Sequence, residues 1–297
     1  MTALPATTSG RARGRPLVDG EFPLEAGDFA AIAAMLRADS GIALPEAKAV
    51  LVYSRLAKRL RILQLASFRD YCALVSSEGG AQERRHMLTA LTTNVTRFFR
   101  EPHHFEHLRT VALPPLLQAA RTGGRVRVWS AASSTGQEPY SIAMSVLAAM
   151  PDAAGFDVKV LATDIDPTAL AEGREGRYAE AAMAGIPAEL RQRWFNRDDN
   201  GGWRASEGLR ALITFRELNL IGQWPMRQAF HAVMCRNVAI YFDDETQSTL
   251  WNRFAPLVEA GGHLYIGHSE RVAGPAARCF EHAGLTTYRK RGPGGAS

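Results

Sequence analysis

Hydrophobic and polar positions follow two different periods along this chain. From residue 25 to residue 120, apolar side chains recur every three or four residues, and Asp28, Pro45 and Ser67 stand where helices commonly begin. After residue 124, short apolar runs alternate with helical segments, which predicts strands at 125–131, 156–163, 229–234 and 263–267. A further run at 286–289 has the spacing of an antiparallel partner for the last of these. The pattern predicts a small all-helical domain followed by an α/β domain.

The same pattern predicts where the domains begin and end. We expect a disordered tail over residues 1–24, because its sequence is rich in Thr, Gly, Pro and Ala. The helical domain is predicted over 25–100, a linker helix over 101–124 and the α/β domain over 125–297. Within the α/β domain, residues 195–215 combine Gly, Asn and Asp with scattered β formers, which predicts a small β insertion.

Composition narrows the class of protein. Of the 297 residues, 46% are hydrophobic and 22% charged, as in a soluble globular protein. No apolar run is long enough to span a bilayer and no signal-peptide pattern opens the chain, so we expect a cytoplasmic protein without membrane insertion. The three cysteines lie far apart without a Cys-x-x-Cys pair, which argues against a disulfide framework or a zinc site. The formal net charge of +5 favours acidic partners.

The most informative stretch of the chain runs from Val126 to Met144. It begins as a buried strand, turns through small residues at 130–136 and continues as an apolar helix with Pro139 in its first turn. The next predicted strand ends at Asp164. Strand, turn, helix and a second strand with a terminal acid form the layout of a nucleoside-binding α/β half, in which the ligand lies across the strand ends. An ordinary βαβ turn without a ligand is the alternative.

The turn also indicates which nucleoside is bound. Dinucleotide sites use several glycines so that the backbone can approach a pyrophosphate at the helix start. This turn has one glycine, Gly136, and Glu138 stands where it would repel a phosphate. A nucleoside with a positive centre and no phosphate fits better, and S-adenosylmethionine is the common cofactor of that description.

A polar segment precedes the α/β domain. Asn94, Thr96 and Arg100 supply an amide, a hydroxyl and a guanidinium fork. Together these groups suit a carboxylate such as that of the cofactor's methionine part. A capped interdomain linker is the alternative.

The predicted helix at 45–63 is strongly basic on one side. Its apolar residues form one stripe, while the opposite side carries Arg55, Lys58, Arg59 and Arg61 without interleaved acids. A solvated helix face and a docking surface for an acidic partner both explain this pattern.

Four motifs together resemble the CheR-type chemotaxis receptor methyltransferases. They are Thr92-Thr-Asn-Val-Thr-Arg-Phe-Phe-Arg-Glu, Ser130-Ala-Ala-Ser-Ser-Thr-Gly-Gln-Glu-Pro-Tyr-Ser-Ile-Ala, Ala162-Thr-Asp-Ile-Asp and Cys235-Arg-Asn-Val-Ala-Ile-Tyr-Phe. They occur in the family's order within residues 29–289. The resemblance implies a Rossmann-like class I methyltransferase domain. It also implies transfer of a methyl group from S-adenosylmethionine to glutamates in the cytoplasmic helical region of chemoreceptors, with S-adenosylhomocysteine as the product.

The resemblance also assigns roles to individual positions. The implied cofactor contacts are Asn94, Thr96, Arg100, Glu138, Asp164, Asn219, Leu220, Arg236 and Asn237. Among them, Asp164 matches the acid that binds the ribose, and Asn219 and Leu220 match the segment beside the adenine. Arg100 and Tyr241 match the residues that border the methyl-transfer site, and we expect them to be catalytic by orienting the acceptor carboxylate.

Further expectations concern partners. The basic helix resembles the family's receptor-facing helix, so Arg55, Lys58, Arg59 and Arg61 are expected to dock the receptor. The insertion at 195–215 resembles a subdomain that grips a receptor peptide in some members. We expect a monomer that binds no nucleic acid. We also expect no metal site, because the histidines near residue 104 lack an evident further ligand. The rival functions are an RNA methyltransferase and a signalling adaptor that has lost turnover.

Overall fold

The computed structural model describes residues 16–199 and 201–292, and these residues form two compact units. The first unit runs up to Leu36 and continues over Leu44–Leu91. The second unit comprises Arg37–Ala43 and the chain from Thr92 onward. The division after Leu91 precedes the predicted boundary at residue 100. Within the described parts of the chain, no helix is both long and apolar enough to cross a bilayer.

The first unit is built from helices that bury apolar residues. Its helices are α1 (Ala26–Ser40, whose last turn counts with the second unit), α2 (Ala49–Leu63), α3 (Phe68–Ser76) and α4 (Ala81–Leu91). The apolar stripe of α2 is buried, with Val52, Leu56 and Leu60 fully inaccessible to solvent. Ser67 begins α3 as predicted, because its hydroxyl accepts a hydrogen bond from the Asp70 N–H at 3.2 Å.

The predicted disordered tail is wrong at its carboxyl end. Residues 1–15 lie outside the described residues, but Val18 and Leu24 form an antiparallel bridge. The side chain of Leu24 is fully buried, and the Glu21 carboxylate pairs with Arg61 at 2.6 Å. The tail prediction relied on composition, which does not reveal that Leu24 is buried or that Glu21 pairs with a residue of α2.

The second unit has a seven-stranded sheet and a separate three-stranded sheet. Its helices are α5 (Pro102–His107), α6 (Leu113–Arg121), α7 (Gln137–Ala149), α8 (Pro167–Glu175), α9 (Ala188–Trp194), α10 (Glu207–Ala211) and α11 (Asp244–Phe254). Its strands are β1 (Val126–Ala131), β2 (Val158–Asp164), β3 (Arg177–Tyr178), β4 (Phe195–Arg197), β5 (Trp203–Ala205), β6 (Ile213–Glu217), β7 (Phe230–Cys235), β8 (Val258–Ile266), β9 (Phe280–Gly284) and β10 (Thr287–Lys290).

The main sheet has the strand order β6-β2-β1-β7-β8-β10-β9. The first five strands of this order are parallel, and β10 pairs antiparallel with both β8 and β9. The predicted strands and the antiparallel pairing of the last run with β8 are therefore confirmed. Successive side chains of β1 enter two apolar cores, Val128 one and Trp129 the other, so the sheet is covered on both faces.

This topology creates a crevice at one edge of the sheet. After β1 the chain builds β2 on one side, and it later returns to build β7 on the other side. Ligands of open α/β sheets bind at such a switch point, outside the carboxyl ends of the strands. Residues that follow β1, β2 and β7 therefore meet at one place.

Two predicted boundaries within this unit need correction. The small sheet is formed by β3, β5 and β4 and so begins at Arg177, whereas the last three residues of the predicted insertion, 213–215, belong to edge strand β6 of the main sheet. The predicted linker helix is two helices, α5 and α6, joined by a π-helical turn at Leu108–Ala112. Its apolar residues Phe105, Leu108 and Leu113 share one core with β1 and α7, so this segment is part of the second unit.

Candidate active site

A cleft at the carboxyl ends of β1, β2 and β7 collects the predicted site residues. It encloses about 930 Å³ of empty space, including its open mouth. The predicted cofactor and catalytic residues all line it: Asn94, Thr96, Arg100, Glu138, Asp164, Asn219, Leu220, Arg236, Asn237 and Tyr241. They come from segments scattered over the sequence, and the strand order accounts for their meeting here.

The turn after β1 forms one wall of the cleft in an unusual backbone conformation. Ala132 and Ser134 have φ values of 63° and 50°, and Gly136 has a φ of 98° just before α7. A Cβ atom on Gly136 would lie 2.9 Å from the Tyr178 hydroxyl and 3.0 Å from the Gly173 Cα. The single glycine of the turn is therefore required both by its φ and by close packing.

Asp164 closes β2 and is held firmly by the backbone. Its Oδ2 accepts a hydrogen bond from Ser134 N at 2.7 Å, and its Oδ1 accepts one from Asp166 N at 3.0 Å. Burial raises the pKa of this carboxyl, and the N–H groups of Asp166 and Ser134 oppose that shift. Each carboxylate oxygen keeps a further lone pair, so the group can still accept hydrogen bonds from a ligand in the cleft.

Asn94 belongs to the frame of the cleft. Its amide donates to Asp166 Oδ2 at 2.7 Å, and its Oδ1 accepts from the Ser134 hydroxyl at 3.3 Å. The side chain is therefore committed to holding the turn after β1 beside the loop after β2. Ser134 and Asp166 are structural partners that the sequence reasoning missed.

Glu138 and Arg236 form a buried ion pair on one side of the cleft. The Oε2 of Glu138 lies 2.9 Å from an Arg236 Nη, and its Oε1 accepts from the Ser130 hydroxyl at 2.7 Å. The other Arg236 Nη lies 3.2 Å from Glu101 Oε2 and also donates to the Arg100 carbonyl. Burial raises the pKa of Glu138, and Arg236 opposes that shift most strongly. Arg236, predicted as a cofactor contact, has its guanidinium engaged by two carboxylates.

Glu270 organises the loop that follows β7. It is 7% exposed, and its Oε1 accepts from the N–H groups of Val238 and Ile240 at 2.9 and 3.3 Å. Its Oε2 accepts from Gly267 at 2.5 Å and from Asn237 at 3.0 Å. Glu270 was not among the predicted site residues, because no local sequence pattern indicates which backbone groups it meets.

The remaining predicted residues differ in how far their side chains are already engaged in hydrogen bonds within the protein. Arg100 donates to the Val95 carbonyl at 3.1 Å and also lines the cleft. The amide of Asn219 donates to the Asp39 carbonyl at 2.6 Å and its Oδ1 accepts from Ile221 N at 3.1 Å, so this side chain shapes its own loop. Leu220 is 7% exposed and adds apolar surface to the cleft, as a planar adenine would require.

The donor and acceptor set of the cleft fits a cationic nucleoside. Glu138 and Asp164 supply negative charge, Leu218 and Leu220 supply apolar wall, and Arg100 supplies one cation for a carboxylate. The helix α7 begins with Glu138 in its first turn, which disfavours a phosphate at that helix start. This fit supports S-adenosylmethionine over a dinucleotide.

One cluster near the cleft has the residue types of a metal site. Ligand atoms of Glu101, His103 and His104 lie within 4.8 Å of one another. Among the described residues, this is the group of at least three possible metal ligands that lie so close together. The Arg236 guanidinium lies 3.2 Å from the same Glu101 carboxylate, so a divalent cation would have to displace an existing positive charge. The geometry therefore favours an anion–cation network over a metal centre.

The basic side of α2 needs a correction. Arg59 forms a two-pronged ion pair with Glu83, with Nε–Oε1 and Nη–Oε2 distances of 2.9 and 2.5 Å. Glu83 also accepts from the buried Tyr71 hydroxyl at 2.9 Å. Arg59 is only 22% exposed and stabilises the helical unit, so we remove it from the predicted docking surface.

The other three basic residues are more accessible. Lys58 is exposed, and the side chain of Arg61 is 53% exposed although it pairs with Glu21. Arg55 is half-buried and donates to the Ala90 carbonyl at 3.2 Å. The accessible positive charge on this helix therefore comes from Arg55, Lys58 and Arg61.

Comparison with known proteins adds independent information. The family model "CheR methyltransferase, SAM binding domain" matches residues 94–289, and "CheR methyltransferase, all-alpha domain" matches residues 27–92. A probable chemotaxis protein methyltransferase of Rhizobium etli is 57% identical over 86% of this chain and 96% of its own length. Chemotaxis protein methyltransferase 2 of Pseudomonas aeruginosa is 41% identical over 90% of this chain and 94% of its own. The chemotaxis protein methyltransferase of Escherichia coli is 40% identical over 88% and 89%.

Proposed function

This chain belongs to the CheR methyltransferase family, and we propose that it methylates glutamate side chains of chemoreceptors. It is an S-adenosylmethionine-dependent methyltransferase, and the proposed products are a glutamate methyl ester and S-adenosylhomocysteine. The observation that carries the proposal is the cleft at the switch point of the sheet. Two carboxylates line it together with Arg100 and Tyr241: Asp164, which is buried, and Glu138, whose side chain is 11% exposed.

The proposed cofactor contacts follow from the chemistry of each residue. Asp164 has two carboxylate oxygens for two ribose hydroxyls, and Leu220 offers an apolar surface to the adenine. Glu138 lies where its charge stabilises the positive groups at the amino-acid end, and Arg100 suits the carboxylate there. When bound, S-adenosylmethionine supplies a methyl group on a positively charged sulfur, which a carboxylate oxygen can attack directly.

The acceptor needs orientation more than activation. A glutamate side chain is already ionised at neutral pH, so no general base has to create the nucleophile. The task of the cleft is to align the carboxylate oxygen with the methyl carbon and to remove water from it. Arg100 and Tyr241 border the cleft and are the proposed orienting groups, one by charge and the other by its hydroxyl.

Partner binding is proposed for the accessible basic side of α2. Arg55, Lys58 and Arg61 present positive charge that complements an acidic stretch on the cytoplasmic helices of a receptor. The proposed working form is a cytoplasmic monomer. The helix has no exposed aromatic residues between these cations, and such residues would favour single-stranded nucleic acid as the partner.

A labelling experiment tests this function. The protein is incubated with methyl-labelled S-adenosylmethionine and receptor-containing membranes, and the protein-bound label is then treated with mild base. Base-labile label on the receptor supports the proposal, because methyl esters hydrolyse under these conditions. Label on RNA would instead support an RNA methyltransferase. Cofactor binding without any transfer would support a signalling adaptor that has lost turnover.

Asp164→Asn tests the cofactor part of the proposal. Loss of the charged hydrogen bonds, about 1.5–3 kcal/mol each, is expected to weaken cofactor binding roughly ten- to hundredfold. Asp152→Asn is the matched control, because this aspartate is exposed and pairs only loosely with Arg121 at 3.5 Å. Equal affinities for the Asp164 variant and the control, measured by calorimetry, would exclude Asp164 from the ribose contact.

A further inference from the structure

A second cavity lies in the second unit, at the other end of β7 from the candidate active site. It encloses about 1130 Å³ of empty space, including its open mouth. The candidate active site is lined by Arg236, which follows β7, whereas this cavity is lined by His231 near the start of that strand. The two cavities share no lining residue among those described, so a ligand in one leaves the other open.

Two irregular backbone segments line this cavity. Between two paired positions, β7 runs from Phe230 to Ala232. Over the same stretch β8 runs from Val258 to His263, so its extra residues bulge out of the ladder into the wall of the cavity. Another part of the wall belongs to the π-helical turn Leu108–Ala112. Bulges and single π-helical turns are both common beside functional sites, and here they meet at one cavity.

The wall also holds a histidine without a hydrogen-bond partner. His263 is 8% exposed, and its small exposed surface lines the cavity. Among the described residues, no donor or acceptor meets its ring nitrogens; its neighbours are the rings of His107 and Tyr265, with centroids 4.9 and 6.2 Å away. Burial lowers the pKa of His263 to about 4, so at neutral pH its ring has one N–H to donate and one nitrogen to accept. A polar group that enters the cavity can satisfy this ring.

The lining charges and their ion-pair partners leave one positive charge in excess. Glu259 and Arg289 line the cavity. Glu259 lies 3.5 Å from Arg125, and Glu281 lies 3.6 Å from both Arg289 and Arg291. Two carboxylates are therefore shared among three guanidinium groups. The side chain of Arg289 is 56% exposed, so its charge is accessible to a ligand.

Glu259 has a further neighbour. The Nδ1 of His231 accepts a hydrogen bond from the Arg127 N–H at 3.0 Å, so the Nε2 carries the proton when this ring is neutral. This Nε2 lies 3.6 Å from the Glu259 carboxylate. Glu259 is therefore already faced by Arg125 and His231, and the charges of the cavity favour an anion over a cation as the ligand.

We propose that this cavity binds a small aromatic carboxylate. The carboxylate group pairs with Arg289 and accepts from His263, which lie directly opposite each other on β10 and β8 and so share one face of the sheet. The aromatic ring packs between the apolar side chains of Val111 and Leu116 and the edge of the His107 imidazole. The inference concerns a site separate from the cleft and does not depend on the proposed function.

An NMR titration with benzoate tests this inference. Protein with labelled histidine rings reports binding directly, because the signals of His107 and His263 are expected to shift with a Kd of roughly 1 mM, which is ordinary for so small a ligand. Benzamide has the same ring without the charge, and cyclohexanecarboxylate has the charge without the flat ring. Each is expected to bind at least about threefold more weakly than benzoate.

Arginine variants locate the bound benzoate. Arg289→Gln changes an exposed side chain and is expected to weaken benzoate binding about fivefold, since a charged hydrogen bond is lost in a partly solvated place. Arg278→Gln is the matched control, because this arginine is exposed and does not line the cavity. The inference is overturned by unchanged affinity in Arg289→Gln, or by histidine signals that stay in place at about 10 mM benzoate. A loss of binding in Arg100→Gln would place benzoate in the cleft and also overturn it.

Discussion

Removal of the Glu270 carboxylate should lower both the stability of the second unit and the affinity of the cleft for the cofactor. Four backbone N–H groups, from Val238, Ile240, Gly267 and Asn237, donate to this one side chain within 2.5–3.3 Å. Glu270→Ala leaves these donors without an acceptor in a nearly closed site. A Cβ on Gly267 would already lie 2.5 Å from the Asn237 amide nitrogen, so this loop has little room to rearrange.

The magnitude follows from the number of donors. A buried donor left unsatisfied costs about 1–3 kcal/mol, and water entering the space of the lost carboxylate can satisfy some of the four. Burial raises the pKa of Glu270, so part of the loss is offset because the variant no longer buries a charge. We expect the free energy of unfolding to fall by roughly 2–5 kcal/mol. Glu270→Gln should lose somewhat less, because its amide keeps one acceptor oxygen.

Urea unfolding followed by tryptophan fluorescence measures this loss, because all five tryptophans belong to the second unit. Cofactor affinity, measured separately, should also fall, since the ordered loop carries Arg236 and Asn237 into the cleft. Glu175→Gln is the matched control: this glutamate is exposed at the end of α8 and should change stability by less than about 0.5 kcal/mol. If Glu270→Ala unfolded within about 1 kcal/mol of wild type and bound the cofactor normally, the inferred role of the four hydrogen bonds would be refuted.

Three further predictions concern catalysis, docking and pH. Arg100→Ala should lower methyl transfer more than cofactor affinity, and Arg100→Lys should restore little because it lacks the planar fork; equal losses in both measurements would limit Arg100 to anchoring the cofactor. The double variant Lys58→Glu/Arg61→Glu should raise the KM for receptor at low salt while leaving cofactor affinity unchanged. A wild-type KM would mean that this helix face is only solvated. Arg59→Glu should instead lower the free energy of unfolding, because it removes the ion pair with Glu83. Burial lowers the pKa of His104 to about 3 and that of His263 to about 4, so both stay neutral in the folded unit while they become protonated in the unfolded chain below about pH 6.5. The folded state binds fewer protons, and its free energy of unfolding should therefore fall as the pH is lowered from 7 to 5, by up to about 2 kcal/mol per histidine, with a smaller fall in His263→Gln; a flat profile in urea titrations would contradict this assignment.

Features with a local signal in the sequence were predicted well. The strands β1, β2, β7 and β8 have mainly apolar sequences, and Gly136, the one glycine of the turn before α7, stands where the backbone φ is 98°. Strand β9 was not predicted, and the start of β6 was assigned to the small insertion and not to the main sheet. They have short alternating patterns beside polar loops, which a sheet edge tolerates but which are also typical of irregular segments.

The predicted site residues were brought together, but their individual tasks could not be foreseen. The sequence places Asn94, Asp164 and Asn219 at suitable points, and only the fold reveals that Asn94 and Asn219 are occupied by structural hydrogen bonds. Glu101 and Glu270 gave no local signal, because both bind Asn237, which lies 136 residues from Glu101 and 33 residues from Glu270 along the chain. No local sequence pattern indicates which distant residues a charged side chain will contact.

Charge on a residue therefore indicates function only after its partners are known. Arg59 and Arg236 are both cations of a basic protein, yet each is nearly buried and each has a carboxylate within 3 Å. At Arg59 one carboxylate balances one guanidinium with nearly full neutralisation, which leaves stability as its main effect. At Arg236 two carboxylates, from Glu138 and Glu101, share one guanidinium, and Glu138 and Arg236 line the cleft. The same kind of side chain thus stabilises the helical unit in one place and shapes the wall of the cleft in the other, and its neighbours make the difference.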